Sequence, residues 1–339
     1  MKGFDLSLYS KYRGALMGFA IIGVLIVHWF SMSGIEHSVW TKPLEWLSRV
    51  SYTEGFLFLS GLGLYYSFRK NGDVRAFYVR RWWRMMFSFM LMALPFYLAR
   101  LLCGDMTPLK FVLSETSLYF WFFGNNGMWY ISVSVLLYAI FPLLYKFMFA
   151  HDKSVMMRSL VVIMAMLTAG GMVYLLLPDY YEMTKIGIMK MPMFPIGMLT
   201  AYGIFNHKRL SIIMLAGGGM LLALFFILKK YDAFFNYHYG MTWRLLAMPA
   251  ACVVMEWLMK HGVNAVTRFF EWFGRYSLEI YVLHMLVVTF MKDFMATIGL
   301  EPSLIPVLHV AATFVIVIAL CVPVHRMIDI LVTKLRVKR

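Results

Sequence analysis

The sequence predicts an all-α protein, a polytopic transmembrane bundle of about ten spans. Three observations carry that prediction. The chain has 339 residues of which 61% are hydrophobic and only 14% charged, against roughly 25% charged residues in soluble domains. Mean hydropathy is +0.71. The apolar residues fall in runs of about 20, the length of helix that crosses some 30 Å of hydrocarbon.

Taken in order, the candidate spans cover about 13–33, 46–69, 83–102 and 127–149, then 157–177, 186–205, 210–228 and 240–260, and finally 276–298 and 304–332. Between the third and fourth lies an aromatic segment, SLYFWFFGNNG. It is too short to span and suits a re-entrant or interfacial position. Lys2, Lys11 and Arg13 before the first run resemble a signal peptide, but no small-residue cleavage site follows, so an uncleaved first helix is expected. No linker or composition shift divides the chain, which reads as a single domain over 1–339. No internal repeat is visible, which disfavours inverted-repeat transporter folds.

The basic residues set the orientation. Counting the N-terminus, every second loop and the C-terminus gathers 22 of the 32 Lys and Arg residues. Loops rich in Lys and Arg stay on the cytoplasmic side, so both termini are expected to be cytoplasmic and the protein to sit in the cell's inner (plasma) membrane. The net charge of +15 therefore punctuates spans and does not form a nucleic-acid patch. Cys103, Cys252 and Cys321 lie far apart in apolar surroundings, with no metal or redox spacing, and are read as core residues. No metal site is expected. No Walker motif, dinucleotide fingerprint, HExxH or GxSxG elbow is present.

Within this apolar chain the ionisable and polar residues of the spans are the functional candidates. His28 stands in GFAIIGVLIVHWF, otherwise free of ionisable side chains. The competing reading is a histidine near the membrane face, bonded to water or a carbonyl. Glu54, in TEGFLFLSG, needs a partner at its depth and can orient a histidine; a helix-end role competes. After the second span come Arg69, Lys70, Arg75, Arg80, Arg81 and Arg84. Arg81 and Arg84 are three apart and share a helix face, and two planar guanidiniums suit a phosphate, although positive-inside anchoring competes. Ser277, Tyr281 and His284 fall at helical spacing on one face, with Glu279 off it. Such a stripe lines a cavity or bonds a neighbouring helix. Trp129, Tyr130, Ser132 and Ser134 open the fourth span after the turn signal Gly124-Asn125-Asn126-Gly127. They suit stacking on a sugar or an ordinary aromatic belt. Arg244 and Glu256 have no evident partner in the sequence.

Together these pieces resemble the acyltransferase 3 family of integral membrane acyltransferases, over nearly the whole chain. The resemblance rests on His28, on Glu54 before Phe56-Leu57-Phe58-Leu59-Ser60-Gly61, on Arg81-x-x-Arg84, on the frame Trp129, Tyr138, Pro142, and on Ser277-x3-Tyr281-x2-His284. Three positions depart from the family pattern. Met17 stands where an arginine is common, Phe87 where a proline follows the Arg-x-x-Arg, and Ser134 where a glutamate is common. Arg13 substitutes for the missing arginine only from the cytoplasmic end, about 22 Å along the helix from His28.

The resemblance implies transfer of an acyl group, most often acetyl, from acyl-CoA to a hydroxyl of an envelope glycan or glycolipid, with no bound cofactor. Arg13, Arg80, Arg81 and Arg84 would hold the donor. His28 would act as general base, with Glu54 as its orienter. Trp129, Tyr130, Ser277, Tyr281 and His284 would line the acceptor side. The expected partners are the bilayer, acyl-CoA and the acceptor, and no nucleic acid. A transporter or flippase for a polar envelope precursor is the main alternative, since it too needs intramembrane His and Glu, but it needs no phosphate clamp at one face. A structural or sensor protein is the third.

Overall fold

A computed structural model describes residues 3–33, 42–50, 53–124, 127–297 and 306–337. Lys2 and the turn residues Asn125 and Asn126 lie outside them. The protein is a helical bundle with one small two-stranded sheet. β1 (Gly3–Asp5) and α1 (Ser7–Lys11) lead into α2 (Arg13–Ser33), with the limits expected for the first span. The second expected span is two helices, α3 (Lys42–Val50) and α4 (Thr53–Asn71). Glu54 thus lies in the first turn of α4, where a carboxylate meets the positive end of the helix dipole.

The third span is built from α5 (Val74–Arg81), a π-helical turn at Trp82–Met86 and α6 (Phe87–Leu102). Asp73 caps α5 by accepting from the Ala76 amide at 3.1 Å. α7 (Pro108–Glu115) starts with Thr107 as cap and Pro108 in its first turn. The aromatic segment forms only α8 (Tyr119–Phe123), too short to span, as expected. Gly124 and Gly127 take φ of +82° and +83°, a region glycine enters at little cost. α9 (Trp129–Phe149) and α10 (Val155–Leu176) follow.

The expected sixth span is longer and broken. α11 (Pro178–Ile188) and α12 (Met193–Phe205) are separated by a turn at 189–192. Pro192 and Pro195 supply no amide donors there, and Lys190 sits in the break. β2 (Arg209–Ser211) pairs antiparallel with β1, Phe4 opposite Leu210, and brings the loop after α12 beside the N-terminal residues. α13 (Ile212–Leu228), α14 (Ala233–Lys260), α15 (Asn264–Arg275), α16 (Ser277–Thr297) and α17 (Pro306–Val337) complete the chain. α14 begins earlier than expected because Asp232 caps it at the Phe234 amide.

Among the described residues, six stretches are long and apolar enough to cross a membrane: Arg13–Phe30, Val74–Leu102, Trp129–Phe149, Asp152–Leu176, Pro178–Phe205 and Ala311–Lys334. Ile212–Leu228 and Ser277–Met291 are apolar but shorter. α13 buries none of its residues and exposes Ile212, Ile213 and Met220, as a lipid-facing helix would. α4 is the reverse, buried along most of its length.

Two helix pairs approach at backbone distance. A Cβ on Gly61 of α4 would lie 2.1 Å from the Phe194 carbonyl of α12, and one on Gly197 would lie 1.9 Å from the Phe58 carbonyl. Gly18 of α2 and Gly274 of α15 meet the same way, against the carbonyls of Phe270 and Gly14. In lipid no hydrophobic force drives helices together, and such small-residue contacts supply the packing instead. The cysteines divide. Cys252 and Cys321 are buried as expected, but Cys103 is exposed, because α6 ends at Leu102 and Cys103 lies in the turn beyond.

Outside the spans, Glu115 closes α7 with its Oε2 buried and without a hydrogen-bond partner. Burial pushes its pKa up to about 7. A carboxyl whose pKa is higher folded than unfolded binds its proton more tightly in the folded protein. Its contribution to stability is therefore full below the ordinary carboxylate range and lost as pH rises through about 7. Glu115→Gln should stabilise the detergent-solubilised protein at about pH 8 by on the order of 1–2 kcal/mol, read as a higher thermal midpoint, and leave the midpoint unchanged near pH 4.5. An equal shift at both pH values would show that the carboxyl is not the cause.

Candidate active site

The site has two ends joined by a line of polar side chains. At one end α2 presents His28 to α16. His28 Nδ1 lies 2.8 Å from His284 Nε2, and the rings stack with centroids 5.0 Å apart. His284 is buried, and its Nδ1 is 2.9 Å from the carbonyl of Ile280, one turn back on α16. Tyr281 packs edge-on to His284 at 5.7 Å, and its hydroxyl donates to the Gly127 carbonyl at 2.7 Å. Tyr130 of α9 meets Tyr281 at 5.3 Å. Ser277, Tyr281 and His284 are all buried, as a stripe facing the protein should be. Glu279, off that face, bonds His325 Nδ1 at 2.7 Å instead.

Beside this pair lies a buried ion cluster. Arg244 of α14 donates from Nη1 to Glu54 Oε1 at 2.6 Å. Lys190, from the break between α11 and α12, places Nζ 3.7 Å from the same oxygen and donates to Thr53 Oγ1 at 2.8 Å. That ammonium also stands over the ring of Trp129, 4.8 Å from its centroid, a cation–π contact. Lys190 is within electrostatic range of His28. The carboxylate expected to orient His28 thus engages two cations, and His28 Nδ1 meets the imidazole of His284. The other residue left unpartnered by the sequence, Glu256, accepts from Lys11 Nζ at 2.6 Å and from the Tyr12 hydroxyl at 2.7 Å.

At the far end the arginines converge. Arg13 donates from Nε to the Leu59 carbonyl at 3.2 Å. Its guanidinium lies against Gly63, where a Cβ would come within 2.6 Å of Nη2. Arg81 is half-buried, its guanidinium carbon 5.9 Å from the rings of Phe77 and Tyr138, and its buried Nε has no hydrogen-bond partner among the described residues. Arg13, Arg81 and Arg84 are within electrostatic range of one another, and Arg80 adds to the field at Arg81. Among the described residues none of these four makes an ion pair with a carboxylate. Like charges gathered without counter-charge repel, and an anion relieves them. The π turn begins directly after Arg81 and changes the helical register, so Arg81 turns inward while Arg84 stays exposed. Phe87, at the position where the resemblance expects proline, is the residue that resumes the α-helix. A cleft of about 420 Å³ opens here, lined by Arg81, Trp82, Trp83, Tyr78 and Tyr138.

Between the ends, the Tyr138 hydroxyl donates to Ser60 Oγ at 3.4 Å. Tyr130 adjoins Ser60 and Ser134 and is in electrostatic range of Arg13 and Tyr138. The polar line therefore runs from the arginines through Tyr138, Ser60, Tyr130 and Tyr281 to His284 and His28.

The sequence profile of a family described as an acyltransferase domain matches residues 15–326. The chain belongs to the acyltransferase 3 family. No curated protein and no solved structure matches it. Its three departures from the family pattern now have positions. Arg13, one turn below Met17, reaches the polar line directly, being in electrostatic range of Tyr130, Tyr138 and Arg84. Ser134 is buried on α9 beside Tyr130. The site residue that sequence reasoning missed in this acyltransferase is Lys190. Its signal was available, an ionisable residue within an apolar run just before Met-Pro-Met-Phe-Pro, the same argument that marks His28.

Removing one partner of a buried ion pair leaves a charge without compensation. Arg244→Met and Glu54→Gln should each lower the thermal midpoint. The double variant should lose less than the sum, with a coupling of about 2 kcal/mol. Strictly additive losses in the detergent-solubilised protein would remove the pair from the account.

Proposed function

We propose that this membrane acyltransferase moves an acyl group, acetyl in the simplest case, from acyl-CoA to a hydroxyl of a cell-envelope glycan or related acceptor. The observation that carries the reading is the asymmetry of the polar line. One end gathers arginines with no carboxylate paired to them among the described residues, and the other holds paired imidazoles. CoA offers phosphates for the first and a thin arm to run along the line towards the second. The Lys and Arg distribution favours a cytoplasmic arginine end, with both termini on that side of the plasma membrane.

In this reading His28 takes the proton from the acceptor hydroxyl as its oxygen bonds to the thioester carbonyl carbon. The carbon–sulfur bond then breaks, the acyl group stays on the acceptor oxygen, and the imidazolium returns its proton to the CoA thiolate. Trp129 and the cluster of Glu54, Lys190 and Arg244 flank the acceptor. A flat ring beside charged hydrogen-bonding groups suits a polyol. A transporter needs no arginine cluster at one end of the line, and the cluster therefore favours the enzyme.

His28→Ala should lower acyl transfer at least about 100-fold without changing the thermal midpoint, measured with labelled acetyl-CoA and extracted glycans in membranes. Retained transfer would remove His28 from the chemistry. Arg81→Ala combined with Arg84→Ala should raise the KM for acyl-CoA about tenfold or more while kcat changes little, since charge-assisted hydrogen bonds contribute about 1.5–3 kcal/mol each. Unaltered acyl-CoA binding by calorimetry would contradict the phosphate role.

A further inference from the structure

The hydrogen bonds around His284 decide which nitrogen of His28 is the base. A carbonyl oxygen only accepts, so the nitrogen that faces the Ile280 carbonyl at 2.9 Å, His284 Nδ1, carries a proton. A neutral imidazole has one N–H, and His284 Nε2 therefore presents a lone pair. His28 Nδ1 is 2.8 Å from that lone pair. Two lone pairs at this distance would repel, so His28 Nδ1 is the donor. Its own single proton is then placed, and Nε2 is the acceptor nitrogen. The chain reads Ile280 C=O, H–Nδ1 of His284, Nε2 of His284, H–Nδ1 of His28, Nε2 of His28.

We propose that His284 is a positioning residue that holds His28 in the Nδ1–H tautomer and so makes Nε2 the general base. The proposal rests on the reading of His28 as the base and deepens it. An imidazole in water favours the opposite tautomer, with the proton on Nε2, which would turn the acceptor nitrogen into a donor and disable it. His284 does more than select the tautomer. When Nε2 takes the acceptor's proton, the Nδ1–H···Nε2 bond becomes charge-assisted and strengthens, and the Ile280 carbonyl polarises it from behind. This is the orienting role of the aspartate in a serine-protease triad, filled here by a neutral ring. Burial fits that choice. The ring is locked at two atoms, by Ile280 and by His28, and is packed against Tyr281.

The test uses full-length protein in detergent micelles with ¹⁵N-labelled histidine, and a His28→Ala sample to assign the His28 signals. In the wild type, His28 should show a protonated Nδ1 and a lone pair on Nε2. In His284→Gln the side-chain carbonyl can accept from the same Nδ1–H, so the tautomer should persist and kcat stay within about tenfold of wild type. In His284→Leu the acceptor is gone. His28 should revert towards the Nε2–H tautomer, and kcat should fall about 100-fold or more, with KM for donor and acceptor little changed. An Nε2–H tautomer in the wild type overturns the proposal, and so does full activity in His284→Leu. The spectrum is read without turnover. An active His28→Ala enzyme therefore sinks the base assignment on separate grounds from a failure of the tautomer.

Discussion

The close crossing of α4 and α12 is the constraint from which the site follows. Gly61 and Gly197 let each backbone sit against a carbonyl of the other helix, at distances no side chain permits. In hydrocarbon this contact replaces the hydrophobic force that joins helices in water. α4 carries Thr53 and Glu54 at one end, Ser60 in the middle, and Leu59 and Gly63 as the seat of Arg13. α12 is entered from the break that carries Lys190. Fixing one crossing thus sets the ion cluster, the middle of the polar line and the first arginine together.

The two ends treat charge in opposite ways. Around Glu54 the cations have a buried carboxylate, and the cluster is held by ordinary pairing. A charge left alone at that depth costs several kcal/mol, and the carboxylate offsets it. The arginine end has no such offset among the described residues. It is tolerable because Arg84 is exposed and because the site opens as a cleft. A structural role predicts compensation and a binding role predicts its absence. Glu54, Lys190 and Arg244 are held in place by their own pairing, and Arg13, Arg81 and Arg84 are left with charge to offer an anion.

What the sequence made legible was local. α2 has the expected limits because an apolar run with charged flanks defines its own ends. The stripe Ser277, Tyr281, His284 was readable from helical spacing, and it is buried. The π turn was not readable, since nothing in Trp-Trp-Arg-Met-Met separates it from an α-helix by period. The sixth span was readable as apolar, but the break between α11 and α12 was not separated from the run around it. The partnerships were least visible. His28 meets His284 across 256 residues of chain, and Arg244 meets Glu54 across 190. Each residue announced itself by its cost in the membrane, but its partner is a property of the packing.

In the proposed reaction those partnerships give Glu54 to Arg244 and Lys190, and His28 to His284. A carboxylate bonded to His28 would pair with the imidazolium, as the aspartate of a serine-protease triad does. With Arg244 and Lys190 on Glu54, its charge is spent on groups that do not react. In the proposed reaction His284 accepts the one hydrogen bond from His28 instead, and that bond strengthens when charge develops on His28 and relaxes when the charge departs. The ion cluster and the imidazole pair are therefore complementary. In the proposed reaction the first holds the carboxylate among its own cations, and the second orients the base.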